Sequence, residues 1–388
     1  VNVDGMTYVY QKAYTIDGYN YFKLRDLTQV HDFWIFWDAE TKTIGVDSDN
    51  PVGYGGPADE EEKVISIDEF AKNFNKETEK LVIRVEPRYD FTECDVDLIS
   101  YTMYYTGKEL CPKAIVKNGD TILVEGTDYE VVYRNNIQIG KATALVKGKG
   151  NYVGSVAVKY TIGVKKGAAY TIDGMKYQIT NASTTGSGTV AITGATSKLL
   201  TSITIKNSVS IGGKTFKVTS IGTSAFKGYT KLKTADVPSN VITIGSSAFS
   251  GCTALTTVKG CTKVTTINSS AFYGCKNLSR IGGYLSKVTL PAVKTIGASA
   301  FSGCTAMKTV NISSTALSSI GASAFYNCKN LTTITIKSTK LTKTNVGLKA
   351  FYGIKATCTF KVPSAKISAY KTIFKAKGAS TKIVVKKY

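Results

Sequence analysis

One unit recurs six times in the second half of this chain, and it limits the fold more than any other feature. The pattern is Ile-Gly-x-Ser-Ala-Phe-x-Gly-Cys-x-x-Leu-x-x-Val/Ile. It reads IGTSAFKGYTKLKTADV from 221, IGSSAFSGCTALTTV from 244 and INSSAFYGCKNLSRI from 267. It returns as IGASAFSGCTAMKTVNI from 296 and IGASAFYNCKNLTTITI from 320, with a degenerate VGLKAFYGI from 346. The phenylalanines stand at 226, 249, 272, 301, 325 and 351, spaced 23, 23, 29, 24 and 26. A unit this short cannot bury its own apolar face, so stability must come from stacking one unit on the next. The pattern therefore predicts a solenoid. Val258, Ile281, Val310 and Ile334 are expected in a parallel sheet that rises roughly 4.8 Å per turn. Ala225, Phe226 and their equivalents fill the interior. The glycine after the first isoleucine suits a tight corner where a side chain would clash. Asn268, which replaces it once, is the residue next most tolerant of a left-handed backbone.

Repeats of 20–29 residues with a Leu-x-x-Ile/Val strand signature are leucine-rich repeats, and these copies resemble the BspA type. The stretch GAAYTIDGMKYQIT (167–180), with GGKTFKVTSIG (212–222), looks like the β-rich cap that precedes such repeats. The tail CTFKVPSAKISAYKTIFKAKGASTKIVV (358–385) looks like their C-terminal cap. The resemblance divides this half into an N-terminal cap (166–220), repeats (221–357) and a C-terminal cap (358–388). It implies a role in binding other cells, host surfaces or extracellular molecules, with no catalysis tied to the repeat. In the tail, Ser364 is placed to cap a helix running to about Lys377 and stopped by Gly378. Ile367, Tyr370 and Phe374 line one face of that helix. The face is short, so it is expected to close the solenoid rather than lie on a membrane.

The first 165 residues read differently. Residues 1–50 show two-residue turns at Asp4-Gly5 and Asp17-Gly18, a helix suggested by Leu24 and Leu27, and a strand at Phe33–Trp37. The segments AYTIDGYNYFKLRDL (13–27) and WDAETKTIGV (37–46) resemble the copper amine oxidase N-terminal-like module. That resemblance implies a small non-catalytic stalk module and no copper chemistry. Residues 51–63 (PVGYGGPADEEEK) form a linker whose acidic run lacks the spacing of a calcium loop. Residues 64–165 combine a short helix around 67–74 with alternating strands, as at Tyr129, Val131 and Tyr133 or Ala142, Ala144 and Val146. Such strands with turns every 8–12 residues predict a sandwich, and the region resembles bacterial immunoglobulin-like spacer domains. The fold class is therefore mainly β with few helices and modular: a small α+β domain, an Ig-like β-sandwich, and a leucine-rich-repeat solenoid with terminal caps.

Charge separates the two halves. The whole chain carries 49 Lys+Arg against 28 Asp+Glu. Residues 166–388 hold 30 of the cations and only two of the acids, Asp173 and Asp236. Such asymmetry points to an anionic partner for the basic half. It also bears on chemistry, since a glycosidase needs two carboxylates facing one bond. There is one histidine, His31, which disfavours schemes needing two imidazoles and most transition-metal sites. No catalytic residue, metal site or cofactor is expected. Cys252, Cys275, Cys304 and Cys328 share one repeat position, which Tyr229 and Ile354 fill in the end copies. A slot that accepts all three suits a buried free thiol. Cys94 and Cys111 are expected unbonded, and no apolar run approaches the roughly 20 residues of a spanning helix.

The contact surface is expected on the concave sheet face, as in other solenoids. Its outward positions are Thr257, Lys259, Arg280, Thr309, Asn311, Thr333, Thr335 and Lys337, with Thr234 and Asp236 beginning the row. A second column after each phenylalanine runs Lys227, Ser250, Tyr273, Ser302, Tyr326, Tyr352. Its tyrosines are candidates for stacking on sugar rings, or for packing between turns. The expected function is a non-enzymatic extracellular or cell-surface protein of a Gram-positive-type bacterium, whose basic solenoid contacts a host or bacterial surface glycan or cell-wall polymer. The alternatives are a protein ligand on the concave face, or a non-catalytic part of a larger secreted enzyme. Specific nucleic-acid binding is not expected, because no recognition motif is present.

Overall fold

The computed structural model describes residues 89–182, 188–282 and 287–388 in full, and between 1 and 47 the strands alone. It divides into two compact units, Val1–Arg88 and Tyr89–Tyr388. In the first unit four strands, Val9–Ile16, Tyr19–Arg25, Asp32–Asp38 and Thr43–Asp47, form an antiparallel meander. The helix suggested by Leu24 is not formed there. Leu24 pairs with Tyr10 on one side and Phe33 on the other, a rung of the meander. His31, the linker at 51–63 and the helix expected at 67–74 lie outside the described residues.

The second unit opens with a sandwich. A three-stranded sheet (Thr121–Ile122, Ala114–Asn118, Asp95–Leu98) faces a four-stranded one (Tyr129–Arg134, Gly140–Gly148, Ser155–Gly163, Thr102–Tyr104). Their shared core includes Phe91, Leu98, Val116, Tyr129, Ala144, Val146 and Tyr160. The alternation at 142, 144 and 146 becomes the buried side of the central strand. This sandwich is joined to the solenoid through packed side chains. Ile139 and Val164 are buried in the solenoid's own core. Ile139 N donates to the Gly212 carbonyl at 3.0 Å, and the Tyr105 and Tyr170 rings lie 5.9 Å apart.

The repeats form a β-solenoid whose turns each carry three sides. Residues such as Thr257–Gly260, Thr309–Ile312 and Thr333–Ile336 build the main ladder, a nine-stranded sheet running from Ser202–Thr204 to Val384–Lys387. Short strands Thr243–Ile244, Thr266–Ile267, Thr295–Ile296 and Ser319–Ile320 build a second parallel ladder, which the antiparallel cap strands Ala169–Ile172 and Met175–Asn181 continue. On the third side the Ser-Ala-Phe arc hydrogen-bonds directly to the next turn. Ser247 N donates to Ser269 O at 2.9 Å, Phe249 N to Ala271 O at 2.7 Å and Gly251 N to Tyr273 O at 2.7 Å. Inside, the six phenylalanines are fully buried and stack with successive ring centroids 5.4, 5.3, 5.4, 5.4 and 5.9 Å apart.

Both ends of the stack are closed by aromatic rings. Tyr229 meets Phe226 edge-on at 5.4 Å, and its hydroxyl exchanges hydrogen bonds with the Ala195 backbone at 3.1 Å. Phe374 and Phe360 cover Phe351 at the other end. Phe374 comes from the helix Ile367–Ala376. The Ser364 side chain does not cap that helix. Ser364–Lys366 form a 3-10 turn instead, and Lys366 N reaches the Pro363 carbonyl at 2.9 Å. No helix among the described residues is long and apolar enough to cross a membrane.

The corner glycines serve close approach, as the expected side-chain clash requires, but the reason for Asn268 changes. A Cβ on Gly321 would sit 2.4 Å from Ala298 N. Asn268 is not in the left-handed region, so left-handed tolerance is not the reason for its place. The left-handed position falls two residues later, at Ser224, Ser247, Ser270, Ser299, Ser323 and Lys349, with φ between 55° and 57°. The 29-residue spacing also has a structural meaning. Ile281 pairs with Val288 of the same repeat, adding a rung to the main ladder. On the second ladder Ile267 pairs directly with Ile296, with no extra rung.

Three substitutions test this packing by chemical denaturation of the full chain. Phe301→Ala, flanked by rings on both sides, is expected to cost about 3–5 kcal/mol. Gly321→Ala, forced against backbone, is expected to cost about 1–3 kcal/mol. Ser323→Gly, which relieves a left-handed side chain, is expected to be neutral or stabilising by up to about 1 kcal/mol.

Candidate functional site

Strand alternation puts every second side chain of the main ladder on its outward face. Register then aligns these side chains in two columns. Thr234, Thr257 and Arg280 align, as do Thr309, Thr333, Thr359 and Val384. In the second column Asp236 aligns with Lys259, and Thr289, Asn311, Thr335, Lys361 and Lys386 continue it. Seven of the eight expected residues are exposed or half-buried here. Lys259 and Lys337 are exposed, and Arg280, Thr309, Asn311, Thr333 and Thr335 are half-buried. Thr257 is the exception, at 8% exposure. Its short side chain sits between Thr234 and the much longer Arg280 in register.

The same face holds residues that spacing alone did not supply. Lys287 precedes the buried Val288 of the inserted rung and shares its outward side. Lys361 follows the buried Phe360, and Lys386 pairs with it in register on the last strand. Lys337 reaches across to Tyr388, with its amine 5.5 Å from the ring centroid, a cation–π distance. The alternation Thr-Phe-Lys-Val at 359–362 carried this signal, but the stretch reads as a cap rather than as a further rung.

The tyrosine column is arranged differently from an open platform. Tyr326 and Tyr352 stack on each other at 5.4 Å and 15°, so one face of each ring is turned to its neighbour. Ser250 and Ser302, which separate the other members, are buried. Tyr273 keeps 51% exposure between them.

The repeat-position thiols are structural. All eight cysteines are free. Cys252, Cys275, Cys304 and Cys328 are fully buried. Each donates to the carbonyl of a phenylalanine one turn back: Phe226 at 3.0 Å, Phe249 at 3.0 Å, Phe272 at 3.2 Å and Phe301 at 3.1 Å. The slot is therefore not purely apolar, and Tyr229 fills it by bonding backbone rather than by bulk alone. Burial pushes the thiols of Cys252, Cys261, Cys328 and Cys358 up to about 12, and those of Cys275 and Cys304 are raised by the same cause. Held protonated, they are poor nucleophiles and metal ligands.

Among the described residues no group of three or more His, Cys, Asp or Glu side chains converges. Within 166–388 the described ion pair is Lys206–Asp173 at 2.7 Å. The cations of the outward face have no carboxylate partner among the described residues, and Asp236 is the only acid in its columns.

Residues 195–283 and 281–387 match the family model for the BspA type leucine rich repeat region, in six copies. A leucine rich cell surface protein from Faecalibacterium prausnitzii aligns with 27% identity over 50% of this chain and 54% of its own, at a TM-score of 0.37. A leucine rich repeat protein from T. pallidum aligns with 21% identity over 54% of this chain and 96% of its own, at 0.39. A leucine-rich repeat protein from Bacteroides ovatus aligns with 20% identity over 56% of this chain and 76% of its own, at 0.28. No curated protein matches the chain.

Two thiol measurements follow. In the native protein a thiol reagent should modify one cysteine, the exposed Cys111, and Cys111→Ser should abolish the fast reaction. Stability should also fall at alkaline pH. The unfolded chain gives up thiol protons near pH 9, whereas the folded core holds them to about 12. The folded state thus binds more protons between those values, and its stability is lost as pH rises through that window. Denaturation midpoints that stay flat from pH 9 to 12 would contradict the buried-thiol assignment.

Proposed function

This chain carries a leucine-rich repeat region of the BspA type, and from that premise we propose that it is a non-enzymatic binding protein of a bacterial outer surface. Its ligand is an anionic polymer, a host glycan or a cell-wall polymer of a Gram-positive-type bacterium, held by the outward face of the main ladder. The observation that carries this reading is the charge of residues 166–388, 30 Lys+Arg against two acids. Several of those cations lie on one rigid sheet face, and the one acid in the same columns stands at the far end. The buried thiols support a scaffold role rather than chemistry. The sandwich, packed into the same core, holds the solenoid at a fixed attitude.

Cations that neutralise a polyanion release its counterions, so affinity falls linearly with salt on a log–log scale. Binding of the full chain to immobilised sulfated glycan and to purified cell wall is the test. Retention is expected to drop steeply between about 50 and 500 mM salt. Equal retention across that range would contradict the electrostatic reading.

A further inference from the structure

We infer that the outward face of the main ladder is a two-ended site for one linear anionic glycan lying along the solenoid axis. The inference rests on the reading above and makes it more specific. The cations of this face fall into two groups. Lys259, Arg280 and Lys287 lie around the inserted rung, and Lys337, Lys361 and Lys386 lie at the C-terminal end. Lys337 follows the Thr333 strand, so the Thr309 rung alone stands between the groups. Two steps of roughly 4.8 Å separate their nearest members, Lys287 and Lys337, by about 10 Å.

The threonines and asparagine beside the cations suit a sugar rather than a bare polyphosphate. Several polar side chains at the corners of the solenoid bond the turn before them. Thr256 Oγ1 donates to Lys233 O at 3.1 Å, Thr332 Oγ1 to Lys308 O at 3.0 Å and Asn330 Nδ2 to Thr305 O at 2.8 Å. The side chains of Thr309, Asn311, Thr333 and Thr335 make no such bond among the described residues. Their hydroxyls and amide are left to water or to a ligand that carries hydroxyls. Asp236 closes the N-terminal end of the columns, where it repels an anion and limits the footprint to Lys259 and beyond.

Edge protection does not account for the C-terminal group. Lysines on an outermost strand keep sheet edges from pairing, and Lys386 alone meets that description. Lys361 lies one rung inside, paired to Thr335 and Lys386, and Lys337 belongs to the strand before it. Like charges directly opposite on neighbouring strands are unfavourable, so Lys361 beside Lys386 is a cost to the fold that a bound anion removes. Two weak anchors on one rigid face act together only when the ligand spans both.

The test is titration of the full chain with size-fractionated heparin oligosaccharides, from the disaccharide to chains well beyond the roughly 10 Å between the groups. Affinity should step up at least tenfold once the chain bridges the two groups. The triple variants K259Q/R280Q/K287Q and K337Q/K361Q/K386Q should each bring long-chain affinity down to the short-chain value. T333V/T335V should weaken the heparin oligosaccharide more than inorganic polyphosphate of matched length. The control triple K276Q/K329Q/K355Q, in the turns that follow the cysteine position and off the strands of the main ladder, should change long-chain affinity less than threefold. Thermal midpoints confirm that each variant is folded. A smooth rise with length, or equal losses from the control triple, would overturn the two-ended site while leaving polyanion binding intact. Polyphosphate binding as tight as heparin, with the same response to T333V/T335V, would overturn the sugar assignment. No binding at any length would overturn the reading on which both rest.

Discussion

Turn-on-turn stacking of one phenylalanine is the interaction on which the rest of this structure depends. Six rings, each completely out of water, sit about 5.4 Å apart with nearly parallel planes. That distance is close to the spacing of hydrogen-bonded strands. Ring packing and backbone pairing therefore demand the same rise per turn, and neither strains the other. The arc that carries the ring is tied to the next turn by three backbone bonds. Burial of a large ring then enforces the register of the ladders on the other two sides. The ends need separate solutions, because a stack exposes a ring wherever it stops. Tyr229 at one end and Phe360 with Phe374 at the other supply edge-on covers.

Much of this was legible from the residues. The phenylalanine spacing implies the interior column, and the Leu-x-x-Val/Ile positions imply the buried side of the main ladder. The shared cysteine position implies a buried thiol. What was not legible has a physical explanation in each case. The 29-residue spacing looks like one longer repeat, but strand pairing turns the excess into an extra rung on one side only. The left-handed serines are invisible to propensity, since serine rarely adopts that backbone and is held there by its neighbours. Ile139 reads as one more sandwich residue, yet it is buried in the solenoid's core through a contact that no periodicity encodes. Lys361 and Lys386 read as part of the C-terminal cap until register places them on the same face as Lys259 and Arg280.

A rigid scaffold suits the contact role proposed for this face. The columns are aligned by strand register, so their side chains start from fixed positions and a bound polymer has little backbone order to impose. Several polar residues at the corners of the solenoid are committed to inter-turn bonds, whereas the threonine–asparagine strip beside the cations is not. The basic charge of the second half is thus partly solvating and partly organised.

Lysine acetylation footprinting of the full chain, with and without a saturating long sulfated oligosaccharide, tests that division most directly. The account predicts protection of Lys259, Lys287, Lys337, Lys361 and Lys386, with Lys227, Lys276, Lys329 and Lys355, off the strands of the main ladder, reacting as before. Protection of the second set, or uniform protection of both, would contradict it.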